Sequence, residues 1–214
     1  MDACGCEGFD EMFDRDTAEA DLARYRRHGP DATTGMLLDM LRAVGVRGAT
    51  ILDVGSGIGV IDHELLREGA GHAVLVEGSS ASLAVARQVG RERNTLDRMD
   101  FVDGDFVGLA PGIDIADVVT LDRVVCCYPA VDALIGASAT RARSWYGLVL
   151  PRDRAFLRIG MRILNAWYRL RGRAYRGYTH PNARVDALAA EAGLRPTSER
   201  FTMVWRVVLF ERAG

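Results

Sequence analysis

The sequence predicts an α/β chain: a doubly wound, seven-stranded, mainly parallel sheet that ends in a C-terminal antiparallel hairpin. Three observations predict it. Short apolar strand patterns alternate with helical ones from about residue 49 onward. A glycine-crowded turn, "ILDVGSGIGV" at residues 51–60, follows the first strand. The last two strand patterns, "TSERFTM" and "WRVVLFERA", stand too close together for a crossover helix, so one of them runs antiparallel.

The elements follow in order. "DTAEADLARYRR" reads as a short helix capped by Asp16 or Thr17, with Leu22 and Tyr25 on one face. "HGPDATT" breaks it, and Thr33 or Thr34 caps a second helix that Gly45 stops. "ATILDV" is the first strand, and the helix after it ends near Gly69. "HAVLVEG" is a strand, "SASLAVARQVGRER" a helix, and "MDFVDGD" and "ADVVTLD" the third and fourth strands. "VDALIGASATRAR" is a helix and "WYGLVL" the fifth strand. A long arginine-rich helix is expected at roughly 153–171, then a helix over "NARVDALAAEAG" that Gly193 stops. Residues 1–34 read as a helical arm or lid, and 35–214 as one domain with no internal repeat.

Bulk properties narrow the classes. Nearly half of the 214 residues are hydrophobic and a quarter charged, as in a water-soluble globular chain. The net charge of −2 argues against a nucleic-acid-binding surface. No apolar run reaches the roughly 18 residues of a membrane span. The acidic start "MDACGCEGFDEMF" lacks the pattern of a secretory signal, so a cytoplasmic location is expected. Cys4, Cys6, Cys126 and Cys127 should then be thiols. All 27 residues counted as Lys+Arg are arginine, which removes any mechanism built on a lysine amine.

The glycine turn carries the chemistry. A glycine loop between a first strand and its helix lets a ligand approach the backbone, and the helix N-terminus adds free N–H groups. The spacing Gly55, Gly57, Gly59 is G-x-G-x-G, where a dinucleotide fingerprint would put its third glycine at Val60. Glu77, followed by Gly78, ends the second strand 18 residues after Gly59, where a carboxylate accepts from both hydroxyls of a ribose. "DGDF" ends the third strand; there Asp105 can accept from an adenine amino group while the Phe106 amide donates to a ring nitrogen. Asp53 would hold the glycine loop or a ligand ammonium. Each acid alone is more often a turn or cap residue, but the glycine turn, Glu77 and Asp105 stand at the ends of three successive strands.

On these residues the sequence resembles the class I S-adenosylmethionine-dependent methyltransferases, whose sheet is Rossmann-like. "LDVGSGIG", "VLVEGS" and "VDGDF" look like their first three motifs, and the resemblance covers roughly 35–214. It implies S-adenosyl-L-methionine as cofactor, S-adenosyl-L-homocysteine as product, and cofactor contacts at Asp53, Gly55, Gly57, Gly59, Glu77, Gly78, Asp105, Phe106 and Asp122. "YRRHGPDATTGMLLDML", "LDRVVCCYP" and "RGYTHPNARVDALAAEAG" are similar, more narrowly, to segments of the magnesium-protoporphyrin IX O-methyltransferases. Where that pattern has a histidine this sequence has Cys127, and a thiol there changes the chemistry.

The resemblance implies a small-molecule acceptor, apolar and acidic among the candidates. Its pocket is expected over the ends of strands four and five, beneath the N-terminal arm. Catalytic candidates are Tyr25, His28, Asp122, Cys127, Tyr128 and His180, with Arg152 nearby. For Tyr25 the plainer role is packing the arm down; for His28 and His180 it is a loop or turn position. Four cysteines brought together would suit a soft metal, but C-x-C is tighter than usual zinc spacing and no metal site is assigned. Residues 152–176 hold eight arginines and one acid, with Phe156, Ile159, Ile163, Trp167 and Leu170 on one face. That pattern reads first as an amphipathic helix packed on the sheet, and otherwise as a lid or a membrane-surface patch. The competing functions are an NAD(P)-dependent oxidoreductase, against which the glycine spacing counts, and a non-catalytic cofactor-binding module.

Overall fold

A computed structural model describes residues 12–213. Seven strands form one sheet in the order β3-β2-β1-β4-β5-β7-β6. They are β1 (Thr50–Val54), β2 (His72–Glu77), β3 (Met99–Asp103), β4 (Ala116–Asp122), β5 (Ala142–Pro151), β6 (Leu194–Phe201) and β7 (Trp205–Arg212). The first five run parallel, and β7 runs antiparallel between β5 and β6. The chain order reverses beside β1, between β1 and β4. In such sheets ligands bind at that crevice, outside the carboxyl ends of the strands.

Side chains alternate across the sheet, and both faces are dry. Leu52, Val119, Leu148 and Val208 point to one face, under α6 (Val131–Ala139) and α8 (Asn182–Glu191). Their neighbours Ile51, Val118, Val149 and Val207 point to the other. There they meet Leu37, Leu38 and Leu41 of α2 (Ala32–Val44), Leu65 of α3 (Val60–Arg67) and Leu83 of α4 (Ser80–Glu92). Burying each such leucine contributes about 2 kcal/mol.

The N-terminal arm begins with α1 (Arg15–His28), capped by Asp14, whose carboxylate accepts from the Thr17 amide. The cap is thus Asp14 rather than Asp16 or Thr17. Asp31, not Thr33 or Thr34, caps α2, taking both of those amides on one oxygen. A carboxylate two positions before Thr33 reaches two free N–H groups, so it outcompetes the hydroxyls. The boundary drawn between residues 34 and 35 falls inside α2, whose leucines belong to the sheet core. Ala18, Leu22 and Tyr25 of α1 pack on Ile58, Val85 and Val89, which seats the arm over the glycine turn and α4.

Three further boundaries differ from the expectation. The helix after β4 ends at Ala139, because Ala142 already pairs with Ala116 as β5 begins. Strand β6 starts at Leu194, directly after Gly193. A one-turn helix, α5 (Phe106–Leu109), follows β3 and is capped by Asp105. The arginine-rich helix α7 (Ala155–Leu170) has no buried residue, so it does not pack on the sheet as first read. No helix among the described residues is long and apolar enough to cross a membrane.

Candidate functional site

A cavity of about 580 Å³ opens at the carboxyl ends of β1, β2 and β4 and runs beneath the arm. Its floor is the glycine turn. Gly55, Gly57 and Gly59 all have positive φ, at 67°, 54° and 75°, a conformation that side chains disfavour. Their surroundings differ. A Cβ on Gly55 would lie 2.4 Å from Val124, and one on Gly59 2.9 Å from Leu75. A Cβ on Gly57 would meet nothing within 4 Å, so its backbone faces open space. Gly59 does not line the cavity. It caps α3 and lets that helix approach the sheet.

Glu77 sits at the end of β2 and binds this turn directly. Its Oε2 accepts from the Gly57 amide at 2.8 Å and its Oε1 from the Ser79 amide at 2.9 Å. Burial nevertheless pushes its carboxyl above the ordinary value. Each oxygen keeps a lone pair for a ligand hydroxyl. Gly78, Asp105 and Phe106 lie on the same wall. Asp105 receives the Tyr128 hydroxyl at 3.0 and 3.1 Å on its two oxygens. That bond and burial raise the Tyr128 phenol well above its usual value, burial being the larger cause.

Asp53 lies under the turn, almost fully buried, and accepts from the Thr120 hydroxyl at 2.6 Å. Burial raises its carboxyl to about 7. The Asp62 carboxyl of α3, also fully buried, is raised well above its ordinary value, again by burial first and then by the neighbouring Asp53. Two adjoining buried carboxyl groups of this kind hold a proton between them. The sequence reading missed Asp62, because nothing in a helical pattern marks which polar residue turns inward.

The arm supplies the other wall. Phe13, Thr17, Asp21 and Arg24 line it, and Tyr25 contributes its ring. The Tyr25 hydroxyl points elsewhere, donating to Glu64 at 2.5 Å beneath the Arg93 guanidinium. Farther along, Arg123 ion-pairs with Asp31 of the arm and with Asp122 at the end of β4. The Thr34 hydroxyl also donates to Asp122. Burial pushes Asp122 above the ordinary carboxylate value, opposed by the Arg123 charge and the Thr34 hydrogen bond. Arg123 holds φ 63°, a strained backbone for a non-glycine residue, at the point where strand four turns into the cavity wall. Arg123 belongs to the stretch from Asp122 to Tyr128 expected at the pocket, but Asp31 and Thr34 were not among the expected site residues; the Asp31–Arg123 pair spans 92 positions.

Cys126 and Cys127 follow on the same wall, with Sγ atoms 3.7 Å apart. The Cys127 Sγ is also 3.0 Å from the Tyr175 hydroxyl. The Cys126 hydrogen bond, and after it that of Tyr175, hold the Cys127 thiol below its ordinary value against burial. Cys4 and Cys6 lie outside the described residues. No group of three or more metal-ligating side chains occurs among the described residues.

Two expected histidines are not brought into the cavity. His28 is exposed at the end of α1. His180 stacks on Tyr178, and its Nε2 is 2.9 Å from the Tyr128 carbonyl oxygen. Arg152 also stays outside, bonded to the Thr202 carbonyl at 2.8 Å and stacked over Phe201. The structure gathers Asp53, Gly55, Gly57, Glu77, Gly78, Asp105, Phe106, Asp122, Cys127, Tyr128 and the Tyr25 ring around one space.

Sheet order, antiparallel β7 and the glycine turn facing an acid at the next strand end define the class I methyltransferase fold. A family model described as a methyltransferase domain matches residues 46–149, from just before β1 into β5. Over that stretch the chain is similar to a methyltransferase domain, and its sheet has the class I methyltransferase fold. Its fold is similar to magnesium protoporphyrin IX methyltransferase from Synechocystis PCC 6803, solved with bound SAH. The TM-score is 0.72 at 20% identity, covering 95% of this chain and 100% of that one. It is similar also to an O-methyltransferase family protein from Burkholderia thailandensis, with TM-score 0.71 at 18% identity, covering 98% of this chain and 64% of that one. The pyocyanin biosynthetic protein PhzM gives 0.65 at 20%, covering 97% of this chain and 62% of that one. No curated protein matches the sequence.

Proposed function

We propose that the protein transfers a methyl group from S-adenosylmethionine to a small-molecule acceptor bound between the arm and the ends of β4 and β5. One observation carries this reading: a single cavity joins the glycine turn and Glu77 to the wall built by Asp31, Thr34, Asp122 and Arg123. A cofactor on the turn and an acceptor under the arm would therefore share one space.

The residues present fit the cofactor. The Gly57 backbone faces open space, and Ser56 Oγ, on the same turn, is buried with no hydrogen-bond partner among the described residues. That hydroxyl is a polar group awaiting a ligand. Glu77 would take the ribose hydroxyls, and Asp105 the adenine amino group in competition with Tyr128. Asp53 sits where a ligand ammonium would favour its ionised form.

S-adenosylmethionine supplies a methyl group on a sulfonium, whose departure as a neutral thioether needs no proton. The chain's work is then alignment of the acceptor and exclusion of water, which the arm performs from above. A carboxylate acceptor is already ionised and needs only orientation. An amine, phenol or thiol would give its proton to Asp122 or Cys127, the titratable groups on the acceptor wall. Tyr128, bonded to Asp105, and His180, outside the cavity, are less suited to that task than the sequence implied. The magnesium protoporphyrin IX enzyme that shares the fold makes that porphyrin a defined acceptor to test.

Labelled methyl transfer from S-adenosylmethionine into a fractionated host extract, read by mass spectrometry with magnesium-protoporphyrin added to a parallel sample, tests the proposal. A labelled small molecule supports it. Binding of NADH but not S-adenosylhomocysteine would replace it with the oxidoreductase reading. S-adenosylhomocysteine binding without transfer to any acceptor would leave a cofactor-binding module.

A further inference from the structure

We propose that α7 and the hairpin tip beside it form a docking surface for an anionic lipid bilayer. The helix rests on the rest of the chain through one narrow, half-buried stripe. Met161 packs at Gly177, Asn165 bonds the Gly177 carbonyl and amide at 2.7 and 2.9 Å, and Tyr168 meets Tyr175 edge-on. Leu157 belongs to the same stripe by helical spacing.

The apolar stripe points away from the protein. Phe156, Ile159, Ile163, Trp167 and Leu170 share one face and are 54%, 56%, 65%, 44% and 87% exposed. A helix of a water-exposed protein turns such a stripe inward; here it turns outward, which marks an interaction surface. The apolar surface continues at the β6–β7 hairpin tip, where Phe201 and Met203 are 51% and 76% exposed. Arg152, just before α7, stacks over Phe201 and so joins the two.

Charge selects the partner. Residues 152–176 hold eight arginines and one acid. Arg154, Arg162 and Arg169 of this stretch have no carboxylate within ion-pair distance among the described residues. By helical spacing Arg158, Arg162 and Arg169 stand along one flank of the apolar face, between it and the half-buried stripe. An aromatic and aliphatic face flanked by cationic side chains is the pattern of helices that lie in the plane of a membrane interface, the arginines drawing it to anionic headgroups. A second copy of this chain would instead bring two arginine-rich segments together. The surface is tied to the cavity, since the segment after α7 bonds Cys126 and Cys127 through the Tyr178 amide and the Tyr175 hydroxyl.

The experiment is flotation of the full chain with vesicles of phosphatidylcholine alone and of phosphatidylcholine with 30% phosphatidylglycerol (about the anionic share that gives a strong surface potential). Trp167 emission and sedimentation equilibrium without lipid accompany it. The expected result is binding to anionic vesicles only, weakened by salt, with a blue shift of the emission. Ile163→Glu with Trp167→Gln should lower binding by at least about tenfold. Arg158→Gln with Arg162→Gln and Arg169→Gln should lower it about a hundredfold. Both variants should keep S-adenosylhomocysteine binding and the thermal midpoint, since neither set is buried. Three results overturn the proposal. One is no binding to anionic vesicles. Another is a dimer that Ile163→Glu dissociates. The third is emission already blue-shifted and unchanged by vesicles, meaning that this chain covers the face itself.

Discussion

Glu77 holds the glycine turn: its carboxylate accepts the Gly57 amide at 2.8 Å across 20 positions of sequence. The same carboxylate is thus a strut for the turn and the expected ribose acceptor. Glu77→Ala should weaken S-adenosylhomocysteine binding by roughly 1.5–3 kcal/mol, as loss of hydrogen bonds to a charged group does. Calorimetric titration measures it, and unchanged affinity would remove Glu77 from the site. The thermal midpoint should also fall, because the Gly57 amide loses its partner within the turn.

Tyr128 and Asp105 are bonded to each other, so their roles separate by substitution. Tyr128→Phe should cost about 1 kcal/mol of stability and change cofactor affinity by less than about threefold. Asp105→Ala should lower that affinity and leave turnover at saturating cofactor close to wild type. A collapse of turnover in Tyr128→Phe with cofactor affinity intact would give the hydroxyl a part in the transfer itself.

Cys127 stands on the cavity wall with its thiol held low by Cys126 and Tyr175. Cys127→Ser should change turnover and leave S-adenosylhomocysteine affinity alone. The pH profile of turnover discriminates further. If the thiol takes the acceptor's proton, its alkaline-side rise flattens in the serine variant. Turnover and profile both matching wild type would make the thiol a packing residue.

The Asp53–Asp62 pair sets a pH dependence of stability. Both carboxyl groups titrate above their ordinary 3.8 in the folded protein, Asp53 at about 7. The folded chain therefore binds more protons than the unfolded one across that window. The stability this gives is fully present below 3.8 and is lost as pH rises through 7. Buried His63 acts oppositely, its pKa lowered by burial from 6.5 to about 4, so its contribution is lost on acidification through 4. Asp62→Asn isolates the pair, since an amide donates to Asp53 without a shared proton. Its thermal midpoint should match wild type near pH 4 and exceed it at pH 8, by on the order of 1–2 kcal/mol in stability. Equal midpoints at both pH values would contradict the shared proton.

Much of the architecture was legible in residue order. Alternating strands and helices imply a parallel sheet because crossover connections leave few other arrangements, and two adjacent terminal strands require one reversal. The acids at the ends of β1, β2 and β3 could be placed at the site for the same reason: parallel strands bring their carboxyl ends together. Local competition was less legible, as at Asp14 and Asp31, where a carboxylate two or three residues earlier took the cap. Contacts between distant segments were not legible at all. Arg123 meeting Asp31, Tyr25 turning its hydroxyl to Glu64, Asp62 facing Asp53 and His180 bonding the Tyr128 carbonyl depend on how layers pack, and no periodicity records that. The outward stripe of α7 is the clearest case. Its spacing announces an amphipathic helix whichever way it faces. Periodicity sets the angle between the apolar and charged faces of a helix, but only packing against the rest of the chain sets which of them meets water.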